Sequence, residues 1–443
     1  MKRLQEAFRQ LLRCPRQFPM ETLLCLSFYA IVTWDTVQGF GHERGTVFNA
    51  DILPLFVPLF VLTFYLHKVN RWAYIASFFL FLPLMQLHLH PFLTTIAFFF
   101  TYVLAAILLV VGTRPLSDKP FAAHLLHVVT QVSFGMLVAV LLYSPVAAIL
   151  ASFFYIFGIS EPPRIYQHTA QFVAFVVAPL VCASFISHHE YEQQAAPKIL
   201  QIILNFILSP AVIIYTIILY VYTMKILFTW DLPKGGVVWM VMGFVAVALA
   251  GSLTQHILSR RYFDWFYRHF TWIALPPLVL YWIGTLYRIR LYSFTESRFY
   301  LLVAGVLMTL FVLMLLSRRP RRYQLMAIII AAAIIVFTYI PGISAKSIGL
   351  KCQTSRMQQL VSELKLTNPA SGKFHKTLNL KAICADSLLC GRYREAADVV
   401  TYVRDAMGSK TFNARYGEFK FSTYNFNYNI LTKIERGSGN PIE

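Results

Sequence analysis

The sequence predicts an all-α polytopic membrane helix bundle, followed by a small C-terminal α+β soluble domain. The bundle has about 11 transmembrane helices, or about 12 if one ambiguous stretch crosses separately. Three observations carry this expectation. Apolar windows of roughly 20 residues recur between Met20 and Gly342, each long enough to cross about 30 Å of hydrocarbon as a helix. Charged residues make up 13% of the 443-residue chain and hydrophobic ones 57%, with a mean hydropathy of +0.58, whereas ordinary soluble domains carry about 25% charged residues. The charges that are present gather at the ends of apolar runs, as with Arg318, Arg319, Arg321 and Arg322. The chain then divides into a basic cytoplasmic N-terminus at 1–19, a transmembrane bundle at 20–343 and an extracytoplasmic soluble domain at 344–443.

A formal net charge of +19 would point to nucleic acid in a soluble protein. Short basic clusters at span ends fit the positive-inside bias and anionic lipid headgroups instead, so the bilayer is the expected partner and nucleic acid is not. Lys2, Arg3, Arg9, Arg13 and Arg16 precede an apolar run in the manner of a signal peptide. That run is long and no small-x-small site follows it, so it reads as a retained first span. The six cysteines (14, 25, 182, 352, 384 and 390) include no C-x-x-C pair, and no metal or other cofactor is expected from them.

Taken in order, the expected spans are 20–38, 52–66, 72–87, 92–111, 121–143, 172–186, 199–227, 237–258, 272–289, 298–316 and 325–340. The stretch 144–159 is apolar but short. It is either a separate crossing after Ser144-Pro145 or a kinked extension of the helix before it. Charge favours the extension: one crossing leaves roughly 17 Lys/Arg in inner segments against roughly 7 in outer ones, and two crossings blur that split. The N-terminus is then inside and the C-terminal tail outside. Trp34, Trp72, Trp230, Trp265 and Trp272 fall near span ends, where an indole keeps its body apolar and its N–H wet. Residues 259–270 interleave Arg260, Arg261 and Arg268 with aromatics and read as an amphipathic helix on the inner surface.

Beyond Pro341-Gly342 the apolar runs stop. A short helix is expected at 355–364, a turn at 368–373 and helical pieces at 378–407 interrupted at Gly391. The alternation Phe419-Lys420-Phe421 and Tyr424-Asn425-Phe426-Asn427-Tyr428 suggests strand. Cys384 and Cys390 invite a disulfide, but one straight helix would set them about 9 Å apart along its axis, so a bond needs a turn between them or Cys352 as partner.

Candidate site residues each have a structural reading beside the functional one. Glu296 and Arg298, with Arg288 and Arg290 close by, would suit an anionic headgroup or small acid. Ser293-x-x-Glu296 also spells a capping box, and the two upstream arginines can snorkel to headgroups; the structural reading is preferred. Asp231 and Lys234 sit in Trp230-Asp231-Leu232-Pro233-Lys234-Gly235-Gly236, a ligand lid or, preferably, a helix-connecting turn. His124, His127 and Gln131, at i, i+3 and i+7, share one intramembrane face. A metal or haem site there needs ligands from other helices, such as Gln255 and His256, and interhelical hydrogen bonding is preferred. Glu21 and Asp35 are the only carboxylates inside the expected spans, which leaves carboxylate-driven proton coupling or a dimetal site little material. Seven prolines inside spans are compatible with broken helices and equally with ordinary membrane helices. No P-loop, dinucleotide-binding glycine pattern, G-x-S-x-G or H-E-x-x-H occurs.

The order of features resembles a bacterial membrane family known as domain of unknown function 4153. The residues that carry the likeness are the 230–236 loop, Ala274-Leu275-Pro276-Pro277-Leu278, Tyr292 through Tyr300, and Gln353-Thr354-Ser355-Arg356-Met357-Gln358-Gln359-Leu360. Gly236 departs from the aromatic expected after the first loop glycine. The resemblance implies an architecture in the bacterial cytoplasmic membrane and no activity. The expected role is therefore a non-enzymatic envelope sensor or scaffold whose tail meets another envelope protein. The alternatives are a transporter or lipid-handling protein using 199–343, and a membrane-embedded transferase.

Overall fold

The computed structural model describes residues 15–38, 50–84, 95–112, 116–157, 163–188, 198–229, 236–316, 321–368, 371–374 and 387–417. The helices are α1 (Pro19–Gln38), α2 (Phe56–Val69, after a 3-10 turn), α3 (Arg71–Leu84), α4 (Thr95–Val111) and α5 (Asp118–Phe157). Next come α6 (Pro163–Phe172), α7 (Ala178–His188), α8 (Lys198–Ile202), α9 (Ser209–Thr229), α10 (Gly236–Thr254) and α11 (Asp264–Arg268). The series ends with α12 (Phe270–Tyr292), α13 (Glu296–Met314), α14 (Arg322–Ile334), α15 (Ala345–Glu363), α16 (Ser387–Met407) and α17 (Ser409–Tyr416). Three π turns, Val173–Val177, Ile203–Leu208 and Ile335–Tyr339, join or extend these helices without breaking them.

Among the described residues seven helices are long and apolar enough to cross a membrane, and shorter apolar helices lie at Pro19–Trp34, Leu53–Val69 and Thr95–Val111. The chain is a multi-pass membrane protein on that evidence. The expected count of about 11 is not reached among the described residues: some expected spans fall on the shorter apolar helices, and those at 72–87 and 92–111 run into residues outside the described ones. The ambiguous stretch 144–159 falls largely within α5, which runs for 40 residues through Pro145, or about 60 Å at 1.5 Å per residue. Its apolar surface faces outward, with Ile149 68% and Tyr155 87% exposed, as a lipid-facing helix requires. Trp72, Trp265 and Trp272 are likewise exposed.

The chain divides into two compact units. One is built from the chain up to residue 231, Met240–Leu278 and Leu307–Ile334. Phe18, Leu24, Phe28, Phe56, Phe60, Phe64 and Leu180 form one of its cores; Phe121, Leu253, Ile257, Phe311, Tyr323 and Met326 belong to another. Polar clasps hold helix ends together. The Asp118 carboxylate accepts from Arg322 Nε at 3.2 Å and from the Tyr323 N–H at 3.3 Å, and the Gln324 side chain joins the Leu116 N–H at 2.7 Å to the Val111 carbonyl at 3.0 Å. The amphipathic segment contains α11, with Phe266 and Tyr267 buried and Arg260, Arg261 and Arg268 exposed. Tyr267 lies against Ser209, hydroxyl to hydroxyl at 3.1 Å.

The second unit takes 232–239, Val279–Val306 and the chain from Ile335. Here α15 and α16 pack around Met357, Leu360, Val361, Ala396, Val400, Val403 and Phe412. Helix α15 starts ten residues before the expected 355–364, because Ser344 caps it by accepting the Ser347 N–H at 3.3 Å. Helix α16 runs through Gly391 without the expected interruption. Across the expected turn at 368–373, of which 369 and 370 lie outside the described residues, the Gly372 N–H donates to the Asn368 carbonyl at 2.8 Å. Among the described residues the β content is one isolated antiparallel bridge, Thr367 to Phe374. The strands expected at 419–428, which gave the α+β reading, lie outside those residues, as does Cys384.

Candidate functional site

The polar stretch 292–298 joins α12 to α13, so it carries orphan carbonyls from one helix end and orphan amides from the next helix start. Ser293 takes a left-handed backbone at φ +59°, which turns the chain sharply there. Helix α13 then opens at Glu296 rather than at the position a Ser293 cap would fix. The capping box is therefore not used. The Glu296 N–H donates instead to the Tyr402 hydroxyl at 3.0 Å, a partner supplied by α16.

The carbonyls are met from α15. Gln353, only 2% exposed, donates its amide N–H groups to the Tyr292 carbonyl at 3.0 Å and the Phe294 carbonyl at 2.8 Å. Arg356 donates to the Tyr292 carbonyl and to the Leu291 carbonyl at 3.4 Å, and forms an ion pair with Glu395 of α16. Arg298 folds back to donate to the Tyr292 and Ser293 carbonyls, both at 3.2 Å. The Tyr292 ring is approached by both cations, Arg298 at 5.1 Å and Arg356 at 5.9 Å from its centroid. Gly349 makes the close approach possible: a Cβ there would stand 2.9 Å from both the Glu296 nitrogen and the Tyr402 oxygen.

Electrostatically the site is rich in cations. Arg288 and Arg356 both lie within the field of Arg298, while Glu296, 8% exposed, and Glu395 supply negative charge. Burial pushes the Tyr402 hydroxyl above its ordinary range, an effect the Glu296 N–H partly offsets by favouring the phenolate. Arg288 is half-buried and Arg290 is exposed on the last turn of α12. Of the four residues singled out here from sequence, Glu296 and Arg298 belong to the joint itself and the other two flank it. Gln353, Arg356, Gly349 and Tyr402 were not singled out as site residues. The first two lie inside the 353–360 run that carried the family likeness; Tyr402 had no local signal, since its partner is 106 residues away. Chemically the arrangement is a set of guanidinium and amide donors committed to backbone acceptors, with two further arginines beside them.

Asp231 and Lys234 lie outside the described residues. His124, His127 and Gln131 are half-buried on α5. His124 hydrogen-bonds the backbone at Leu109 and stands within electrostatic reach of Lys68 and His127. His256 is engaged elsewhere: its Nδ1 lies 3.2 Å from the Ser252 and Leu253 carbonyls and its ring meets Tyr323 edge-on. No group of three or more metal-ligating side chains occurs among the described residues.

Residues 23–359 match the family model described as Domain of unknown function (DUF4153). A protein of Pasteurella multocida (strain Pm70), described as uncharacterized, is 31% identical over 259 residues, which are 57% of this chain and 44% of that protein. The chain thus spans less than half the length of that curated relative. No solved structure matches it.

Proposed function

The chain belongs to the domain of unknown function 4153 family, and from that premise we propose that it is a non-enzymatic multi-pass protein of the bacterial cytoplasmic membrane that holds out its C-terminal helices as a sensing or scaffolding module. The observation that supports this reading is the use made of 292–298. Its backbone acceptors and the first amide of α13 are taken by Gln353, Arg356 and Tyr402, so the most distinctive polar loop serves as a mount for α15 and α16. In this reading the basic N-terminus is cytoplasmic, residues 20–343 form the membrane part, and the tail lies outside, following the distribution of Lys and Arg. Arg394, Asp398 and Asp405 line an exposed side of α16, the surface offered to an envelope partner.

A photo-crosslinking residue at position 398, tested in intact cells, should give one discrete adduct with another envelope protein. Arg356→Ala, at unchanged expression, should abolish it by loosening the mount. Absence of any adduct would count against the reading. A second reading, lipid handling, draws on Arg288 and Arg290 flanking the joint. It predicts movement of fluorescent anionic phospholipid in reconstituted vesicles that Arg288→Gln with Arg290→Gln removes.

A further inference from the structure

Far from the 292–298 joint in sequence, the first unit seals an acid inside an apolar bundle. Glu21, in the first turn of α1, is 0% exposed. Tyr74 of α3 donates its O–H to Glu21 Oε2 at 2.5 Å, and the same hydroxyl accepts the Met20 N–H at 3.0 Å. The other carboxylate oxygen, Oε1, has no hydrogen-bond donor among the described residues and faces His67 Nδ1 of α2 at 3.9 Å. The His67 ring is wedged edge-on against Tyr74, centroids 4.7 Å apart, and against Phe18 at 5.6 Å. Its side chain is 34% exposed, so it touches both the sealed acid and the outside.

A carboxylate with one bare oxygen is costly in such a place unless a cation stands by it or it holds a proton. The two arrangements, carboxylate with imidazolium and carboxylic acid with neutral imidazole, have the same net charge and differ in the position of one proton. Among the described residues the groups around the acid are few. Cys25 lies one turn along α1, Tyr74 and His67 face it, Lys68 flanks His67 with its ammonium over the Phe64 ring, and exposed Arg71 opens α3. The 173–188 segment packed on α1 presents Val176, Leu180 and Ala183. Lys68 in turn reaches the field of His124, which also feels His127, so ionisable groups continue from α1 through α2 to α5.

We propose that Glu21 is an intramembrane proton-binding site, steadied by Tyr74 and loaded and emptied through His67. In loading, the Nδ1–H bond of the imidazolium breaks and an O–H bond forms on Glu21 Oε1, leaving a neutral imidazole that takes its next proton from water. The gap of 3.9 Å closes by ring rotation or through one bridging water. In sequence Glu21 is one of two carboxylates inside the expected spans, with no sign of partners, which stand 46 and 53 residues further on. The site is independent of the scaffold reading and of the tail.

Full-length protein in lipid nanodiscs provides the test. Dicyclohexylcarbodiimide, which reacts with protonated carboxylic acids in apolar settings, should modify Glu21, with a yield that falls as pH rises. Infrared spectra should show a carboxylic-acid C=O band that Glu21→Gln removes and Tyr74→Phe moves to higher frequency by taking away its hydrogen bond. His67→Gln should displace the pH at which band and labelling are half lost. The Tyr74 and His67 variants keep the carboxyl, so they decide the matter even if Glu21→Gln does not fold. Absence of the acid band at every pH, or a band indifferent to both variants, would make Glu21 a fixed structural charge and overturn the proposal.

Discussion

Gln353 carries two backbone carbonyls on one buried amide. Gln353→Ala takes the donor from the Phe294 carbonyl, while the Tyr292 carbonyl keeps Arg298 and Arg356, and a buried unsatisfied polar group costs about 1–3 kcal/mol. The expected result is a lower unfolding midpoint in detergent and faster proteolysis of the tail. Tyr402→Phe removes one hydrogen bond and should cost about 1 kcal/mol at neutral pH. Its pH dependence has a definite sign. Burial raises the Tyr402 pKa in the folded state, so its contribution is whole below the unfolded phenol value of about 10 and declines as pH climbs through the folded value. The wild-type advantage over Tyr402→Phe should therefore narrow only in alkali, as paired urea titrations across pH would reveal. Little of this was legible from residues alone. Ser293-x-x-Glu296 spells a local cap, but the winning donor and acceptor come from 61 and 106 residues away, where no short-range pattern reaches.

At the scale of elements, α15 must lie almost against the start of α13, and Gly349 is the contact point. In an exposed helix interior Gly→Ala would stabilise by roughly 0.5–1 kcal/mol. Here the added methyl meets a backbone nitrogen and a hydroxyl at 2.9 Å, so the sign should reverse, with overpacking costing about 1–3 kcal/mol. Combining Gly349→Ala with Tyr402→Phe should cost less than the sum of the two, since one of the clashing atoms is gone. Chemical denaturation of the two single variants and the double variant completes that cycle. Element positions were well readable where hydrophobic runs set them, and poorly readable at punctuation. Gly391 looks like an interruption, yet α16 passes through it, whereas at Ser144-Pro145 the charge distribution already favoured the extension that α5 makes, since membrane helices tolerate proline without breaking. Likewise α15 extends back to Ser344, where composition had already turned polar and hydropathy gave no cue.

For the molecule as a whole, class was the most legible property, because charge content and run length are global sums that local exceptions hardly disturb. The family likeness noted from four short runs holds over residues 23–359. A nitroxide at Ile149 should report the collision behaviour of hydrocarbon, accessible to oxygen and shielded from a water-soluble nickel chelate; the reverse would remove α5 from the lipid. The proposed orientation predicts that alkaline phosphatase fused after Gly342 is active and that a fluorescent protein inserted between residues 316 and 321 lights up in the cytoplasm. The order in which the joint is made has a further consequence. Ribosomes deliver roughly 5–20 residues per second. The turn between α12 and α13 therefore waits from roughly three to roughly twenty seconds for Gln353 and then Tyr402 to be synthesised, 61 and 106 residues later. During that interval Arg298 already holds the Tyr292 and Ser293 carbonyls, and the Phe294 carbonyl and the Glu296 amide depend on water or the insertion machinery; a chain released before Gln353 should therefore be degraded faster than the full-length protein, as a pulse-chase would read.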